Sequence, residues 1–349
     1  MGSLLDVPGI RVGHAQRVGD GWLTGVTAVV LPPGSAGGVD VRGGGPGTTE
    51  TDALDPSTLV QTVDAIALCG GSAYGLAAAT GVQLWLESQG QGHPVMGGVV
   101  PIVPGAVIFD LGRGGDFSAR PDTAMGFAAA AAAVGPADAD DAGLRGCVGA
   151  GTGAVLGRMQ YKGGVGMASV RVPGGPVPGP PGMPEVSLPE GIVVGALAVV
   201  NAAGLPVFPG AQATAVAEEA SAAAKVRPAG PGGPGGGGGA GGGLNTTLVV
   251  VATNAALTPA ECQRLATASH AGLARALDPS HTLVDGDTVF AVSTREIAAD
   301  RSSDQARVSL MMAVQIAAAE ATREAILDGV LAATPVTTPF GSWAPYPTP

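Results

Sequence analysis

Leu244-Asn-Thr-Thr-Leu-Val-Val-Val-Ala-Thr253 is the stretch on which the reading of this chain turns. Immediately before it, residues 229–243 hold 11 glycines and two prolines in 15 positions. That composition has too much backbone freedom and too little apolar surface to pack, so a flexible loop is expected there. The chain then switches abruptly to a β-branched run, 248–253, whose continuous apolarity predicts a buried strand. Two readings of the junction stay open. It is a plain linker ahead of a strand, or the Asn245–Thr246 bond cuts itself. In the second case Thr246 attacks the carbonyl before it and emerges as a new N-terminal residue. A free α-amine has a reference pKa of about 7.7–8.0 and can take the hydroxyl proton. An N-terminal Thr is then nucleophile and base in one residue.

Further apolar runs bounded by Gly or Pro predict strands at 25–31, 65–69, 99–109, 165–172, 192–200 and 288–293. Helical spacing predicts helices over 75–87, 122–134, 212–225, 258–277 and 309–332. The fourth opens Thr258-Pro-Ala-Glu261: a capping Thr, Pro at the first helical position, and Glu three residues after the cap. Strands and helices mix without strict βαβ alternation, which points to an α+β fold with helices layered on sheets. Residues 172–184 read as a Pro/Gly surface insertion.

Composition removes several functions. The 349 residues carry 28 acidic and 17 basic side chains, a formal charge of −11, with no basic run. Nucleic-acid binding is excluded on that ground, because phosphate neutralisation needs clustered Lys or Arg. Cys69, Cys147 and Cys262 are too few and too scattered for a disulfide framework or a zinc site, and read as small buried apolar residues. No signal peptide is visible, and no segment has the ~18 unbroken apolar residues of a membrane span. A cytoplasmic, soluble protein is expected.

Glycine-rich loops recur at 42–50, 70–75, 149–153 and 162–166, bringing backbone N–H groups close to a ligand, an oxyanion or another backbone. None fits a standard motif. Residues 149–157 fail the dinucleotide spacing, Lys162 precedes its glycines instead of following them as in a phosphate loop, and 70–75 is one residue out of register for a nucleophile elbow. None of the four histidines (14, 93, 270, 281) lies in a nucleophile-like context. The stretch His281-Thr-Leu-Val-Asp-Gly-Asp287 sets two carboxylates around a Gly just before a strand. It reads as an ordinary turn, or as an acidic pair that orients the Thr246 hydroxyl and stabilises the ammonium form of its amine.

Taken in order, Asp6-Val-Pro-Gly-Ile-Arg-Val-Gly-His14, Val39-Asp-Val-Arg-Gly-Gly-Gly-Pro-Gly47, Gly70-Gly-Ser-Ala-Tyr-Gly-Leu76, Val148-Gly-Ala-Gly-Thr-Gly153, Lys162-Gly-Gly-Val-Gly166, Asn245-Thr-Thr247 and Asp285-Gly-Asp-Thr288 closely resemble the DmpA-like family. That family includes L-aminopeptidase/D-esterases, β-aminopeptidases and nylon-oligomer hydrolases, and the resemblance runs from residue 5 to about 333. It implies a four-layer αββα sandwich of the N-terminal-nucleophile-like type. It implies one catalytic domain, 1–349, self-cleaved into chains 1–245 and 246–349. It also implies a homo-oligomer, commonly a tetramer, acting on a small amide or peptide substrate without metal or organic cofactor. Carried over by position, Thr246 falls on the nucleophile, Asn245 on the residue whose carbonyl is cut, Asn201 on the oxyanion-stabilising Asn, and Asp285 and Asp287 on the acidic pair. Thr with Asp-Gly-Asp looks more like the nylon-hydrolase branch than the β-aminopeptidase branch, which has Ser with Ser-Gly-Glu. The family's catalytic Lys aligns best with Arg158, with Lys162 close enough to compete, and an active-site Tyr aligns with Arg120. Arg120 and Lys162 are therefore expected as substrate or oxyanion contacts. The activities implied are hydrolysis of small peptides or 6-aminohexanoate oligomers. Alternatives are an aminopeptidase or esterase acting on small or β-amino residues, and an acyltransferase of the ornithine acetyltransferase type.

Overall fold

The computed structural model describes residues 2–136, 141–177, 185–209 and 244–347. The expected helix at 212–225 and the expected loop at 229–243 lie outside these residues.

In chain order the strands used below are β1 (Arg11–Gly19), β2 (Trp22–Val30), β3 (Ala36–Val41), β4 (Thr48–Thr49), β5 (Ala65–Cys69), β6 (Gly105–Val107), β7 (Val155–Leu156), β8 (Tyr161–Lys162), β9 (Val165–Arg171), β10 (Val193–Asn201), β11 (Thr246–Ala255) and β12 (Thr288–Ile297). The helices are α1 (Ala77–Ser88), α2 (Thr123–Ala131), α3 (Pro259–Ala276) and α4 (Asp304–Leu331). One five-stranded sheet runs β1-β2-β5-β6-β4, the other β9-β10-β11-β12-β3. Both are mixed: β5 pairs parallel with β6 and β11 parallel with β12, and the remaining pairs are antiparallel. The α+β class follows.

Side-chain alternation shows where each sheet turns. Along β11, Leu248, Val250 and Ala252 join Val12, Val29, Ile66 and Leu68 of the first sheet in one apolar cluster. Val249 and Val251 point the other way, into a cluster with Leu265 and Leu273 of α3 and Val314 and Ile326 of α4. Period-two geometry requires this split. A third cluster holds Val26, Ala28 and Ala67 against Ala78 and Val82 of α1 and Ala129 of α2. All ten residues of β11 are buried, which is why it reads as an unbroken apolar run.

Most elements lie where the sequence places them. The Thr258/Glu261 capping box forms, with Pro259 at the first helical position. The last helix starts earlier than expected, at Asp304, because Ser303 caps it by accepting from Ala306 N–H. The single strand expected at 99–109 is broken. Gly98–Val100 closes a hairpin with His93–Val95, and pairing resumes only at β6. Pro101 and Pro104 lie between and have no N–H to give a ladder. β1 and β3 were not apparent as apolar runs, since β1 turns polar toward Gly19 and half of β3 is only partly buried. Of the expected insertion, Gly175–Val177 pairs with Val186–Leu188, and residues 178–184 lie outside the described residues. Cys69 and Cys262 are buried, but Cys147 is only partly so, its Sγ accepting from Thr334 N–H at 3.3 Å.

Small residues set how closely the layers approach. A Cβ on Gly166 of β9 would lie 2.0 Å from Gly329 N and 2.2 Å from Ala325 O of α4. No L side chain fits without moving the helix off the sheet. Gly166→Ala is therefore expected to destabilise the protein by at least about 1–3 kcal/mol, read as a lower denaturation midpoint. An unchanged midpoint would refute this packing.

Candidate active site

The parallel pairing of β11 with β12 brings both N-terminal ends to one edge of the sheet. Antiparallel β10 delivers its C-terminal end to the same place. Register puts Asn201 directly opposite Thr246, with Cβ atoms ~4.5–5.5 Å apart for such pairs. By alternation both stand on the face turned toward the first sheet, Thr246 in phase with Leu248 and Val250, Asn201 with Leu197 and Val199. Both are buried.

The Asn245–Thr246 junction is held on three sides. Asn245 N–H donates to Val284 O at 3.0 Å, and its carbonyl oxygen accepts from Gly286 N–H at 2.8 Å. Thr246 Oγ1 donates to that same carbonyl oxygen at 2.5 Å. The hydroxyl thus lies against its own preceding peptide, whose oxygen already carries a backbone donor. A Cβ on Gly286 would sit 2.5 Å from Thr246 Oγ1, so only glycine leaves room there. Opposite, Asn201 Oδ1 accepts from Arg113 Nη1 at 2.7 Å and Val155 N–H at 3.1 Å. Its Nδ2 is buried without a hydrogen-bond partner among the described residues. A buried, unused amide donor next to a hydroxyl–carbonyl pair suits an oxygen that gains negative charge.

The acidic pair braces this junction without touching the Thr246 hydroxyl. Asp287 Oδ1 accepts Thr247 N–H at 2.8 Å, while Oδ2 meets His281 N–H at 3.0 Å and His281 Nδ1 at 2.8 Å. Asp285 Oδ2 accepts from Thr282 N–H at 2.8 Å and Thr282 Oγ1 at 2.5 Å. Burial pushes the Asp285 carboxyl above its ordinary range; the Thr282 hydroxyl opposes this and the neighbouring Asp287 charge adds to it. The glycine stretch 42–45 wraps this loop from outside, Gly45 N–H donating to Asp285 O at 2.8 Å and Arg42 N–H to Asp287 O at 2.9 Å.

The basic candidates are placed elsewhere. Arg158 is exposed in the β7–β8 turn at φ 55° and makes no hydrogen bond or ion pair among the described residues. Arg120 lies across the Tyr74 ring at 3.8 Å and near the Phe117 ring at 5.6 Å. Lys162 is fully buried, with Nζ donating to Gly151 O at 3.0 Å, Ala154 O at 2.7 Å and Gly163 O at 2.7 Å. Three donors meet three carbonyls, so Lys162 ties down the 151–154 loop, which leads directly into Val155, whose N–H is one of the two donors on Asn201. Burial pushes its ammonium down to about 8, with the Cys147 sulfur opposing. Two residues of the site escaped the sequence reading. His281 opens the acidic stretch already quoted, but only the fold shows its ring on Asp287. Arg113 carries no motif signal at all.

Residues 2–343 match peptidase family S58. An uncharacterized aminopeptidase of Mycobacterium tuberculosis is 46% identical over 353 residues, covering 96% of this chain and 95% of its own. A 6-aminohexanoate-oligomer endohydrolase of Kocuria sp. is 32% identical over 307 residues, covering 84% and 75%. The structure of an L-aminopeptidase D-Ala-esterase/amidase from Ochrobactrum anthropi, described as a variant of the Ntn hydrolase fold, superposes with a TM-score of 0.67 at 20% identity over 99% and 91% of the chains. This chain belongs to peptidase family S58, and it is a hydrolase acting on amide bonds. Among the described residues no helix is long and apolar enough to cross a membrane.

The Lys162 environment gives a signed pH dependence. Between about 8 and its ordinary value of 10.5, an unfolded Lys162 holds a proton that the folded one has lost. Stability therefore rises with pH across that window. Lys162→Met removes the contribution, so the wild type should gain stability relative to this variant between pH 8 and 10.5. Denaturant midpoints of the two that run parallel across the window would contradict it.

Proposed function

We propose that this member of peptidase family S58 is a self-processing N-terminal-threonine amidohydrolase. The observation that carries the reading is the Thr246 hydroxyl lying on the Asn245 carbonyl group, with Gly286 N–H on that oxygen and the unpartnered Asn201 Nδ2 on the residue opposite. Self-cleavage begins when Thr246 Oγ1 adds to the Asn245 carbonyl carbon, its proton passing to the Thr246 nitrogen as the C–N bond breaks. The resulting Asn245 ester takes up water, leaving an Asn245 carboxylate and a Thr246 with free hydroxyl and free α-amine. Chains 1–245 and 246–349 form in this way from one catalytic domain.

The same parts then serve a substrate amide. The α-amine takes the Thr246 hydroxyl proton and returns it to the leaving nitrogen, giving an acyl-enzyme that water releases. Asn201 Nδ2 donates to the oxyanion. Asp285 and Asp287 keep the acidic loop and the start of β11 in place, and their charge favours the ammonium form of the amine. The scaffold reading is a four-layer αββα sandwich, supported by one apolar cluster between the sheets and one beneath each helix pair. A homo-oligomer is part of the reading, supported by the exposed row Val308, Met312 and Ile316 along one face of α4. Arg158 is the residue least served by the geometry, and Arg120 stands as a candidate substrate contact.

Small peptides and 6-aminohexanoate oligomers are the substrates proposed, the first supported by the aminopeptidase at 46% identity and the second by the endohydrolase at 32%. Intact-mass analysis of the wild type beside Thr246→Ala tests the mechanism. Fragments of 245 and 104 residues are expected from the wild type alone, and a wild type that stays whole sinks it. Cleaved enzyme is then expected to hydrolyse an amino-acid p-nitroanilide or linear 6-aminohexanoate oligomers, with Thr246→Ala inactive on both.

A further inference from the structure

The glycine stretches 70–75 and 149–153 match no phosphate loop and no nucleophile elbow. In the structure they close on one buried carboxylate. A Cβ on Gly70 would lie 2.3 Å from Asp110 Oδ2, and one on Gly153 would lie 2.4 Å from the same atom. Gly71 N–H donates to Asp110 Oδ1 at 2.6 Å. Gly70 and Gly153 must lack side chains for Asp110 to fit between the two loops. Three residues on, Arg113 is buried to 2% exposure, its Nη1 donating to Gly153 O at 2.6 Å and to Asn201 Oδ1 at 2.7 Å.

The consequence falls on the Asn201 amide, which has an acceptor end and a donor end. Two donors, Arg113 Nη1 and Val155 N–H, converge on Oδ1. Turning the amide over would set its NH2 against a guanidinium and a backbone N–H, donor against donors, where water does not compensate. Only one orientation survives, and in it Nδ2 is the end left without a partner.

We infer that Arg113 is a positioning residue: it holds the Asn201 amide in the one orientation that leaves Nδ2 to donate to the oxygen that turns negative when Thr246 attacks. The inference rests on the reading of Thr246 proposed above. Burial pushes the Arg113 guanidinium down only to about 10, with the Asp110 charge opposing, so the contact to Oδ1 is charge-assisted at neutral pH. The Asp110 carboxyl is itself pushed up by burial and drawn down by the charges of Arg113 and Lys162. Asp110 thus bears on Asn201 through the charge of Arg113, and the 149–153 loop through Gly153 O on Arg113 and the Val155 N–H that follows it.

The test follows self-cleavage by intact mass over time in the freshly synthesised full-length chain, for wild type, Asn201→Ala, Arg113→Met, Arg113→Lys and the double variant Arg113→Met/Asn201→Ala. Asn201→Ala is expected to slow cleavage about 10²–10³-fold, the cost of one oxyanion donor, and Arg113→Met to slow it comparably. The double variant is expected to be no slower than Asn201→Ala alone, because both changes remove the same donor. Arg113→Lys, which keeps a buried cationic donor, is expected to recover most of the rate. A purely structural role would instead make the two losses multiply. Multiplied losses, or wild-type cleavage by Arg113→Met, overturn the inference while leaving Thr246 as nucleophile. A wild type that never cleaves overturns the reading of Thr246 and this inference with it. If Arg113→Met shows no cooperative melting, Arg113→Gln replaces it in the same cycle with the same two outcomes.

Discussion

The pairing of Asn201 with Thr246 across β10 and β11 is the constraint that the rest of the site answers to. Side chains alternate along a strand, so a slip of one residue would turn either group away from the first sheet and into the helix-side core. The register is held by burial on both faces. Leu248 and Val250 fit only between the sheets, and Val249 and Val251 only against α3 and α4. The central position of β11, with β10 antiparallel on one side and β12 parallel on the other, then gathers three strand ends at one edge. Hydroxyl, amide and acidic loop meet there without any long-range loop having to find its place.

That edge is polar inside an apolar protein, and the structure meets the cost with backbone. Lys162, Arg113 and Asp110 are each buried, and removing one from its partners would strand a charge in a low dielectric. Lys162 uses three carbonyls, Arg113 a carbonyl and an amide oxygen, Asp110 a backbone N–H. All but one of these backbone partners are glycines (Gly151, Gly163, Gly153 and Gly71), the exception being the small Ala154. The 59 glycines are in part the mark of this arrangement, and in part of close layer packing such as Gly166 on α4.

Much of this was legible in the chain itself. The apolar runs at 65–69, 192–200 and 248–253 are strands because both faces of each are buried, and continuous apolarity is what such strands require. Thr258-Pro-Ala-Glu261 announces its helix start because a cap is a local interaction between near neighbours. The strand expected over 99–109 fails for an equally local reason, two prolines that cannot join a ladder. Arg113 was not legible, since its meaning depends on Asn201, 88 residues away in sequence. The histidine at 281 stood in plain view, yet its contact with Asp287 needs the turn that folds six residues back on themselves.

By itself the sequence determined which functional groups the chain has to offer. A Thr after a glycine run at a strand start, an Asn ending another strand, and two Asp around a Gly are choices of functional group, and functional groups are written in the chain. The family match over residues 2–343 bears on the hydrolase class alone. Only the tertiary structure decided how those groups face one another: which end of the Asn201 amide is free, that the acidic pair braces backbone instead of binding the hydroxyl, and that Lys162 is spent on carbonyls while Arg158 stands in solvent. The physical reason is that hydrogen bonds are directional and short. Their partners here come from paired strands and from loops distant in the chain, and composition and spacing along one chain hold no record of distance across it.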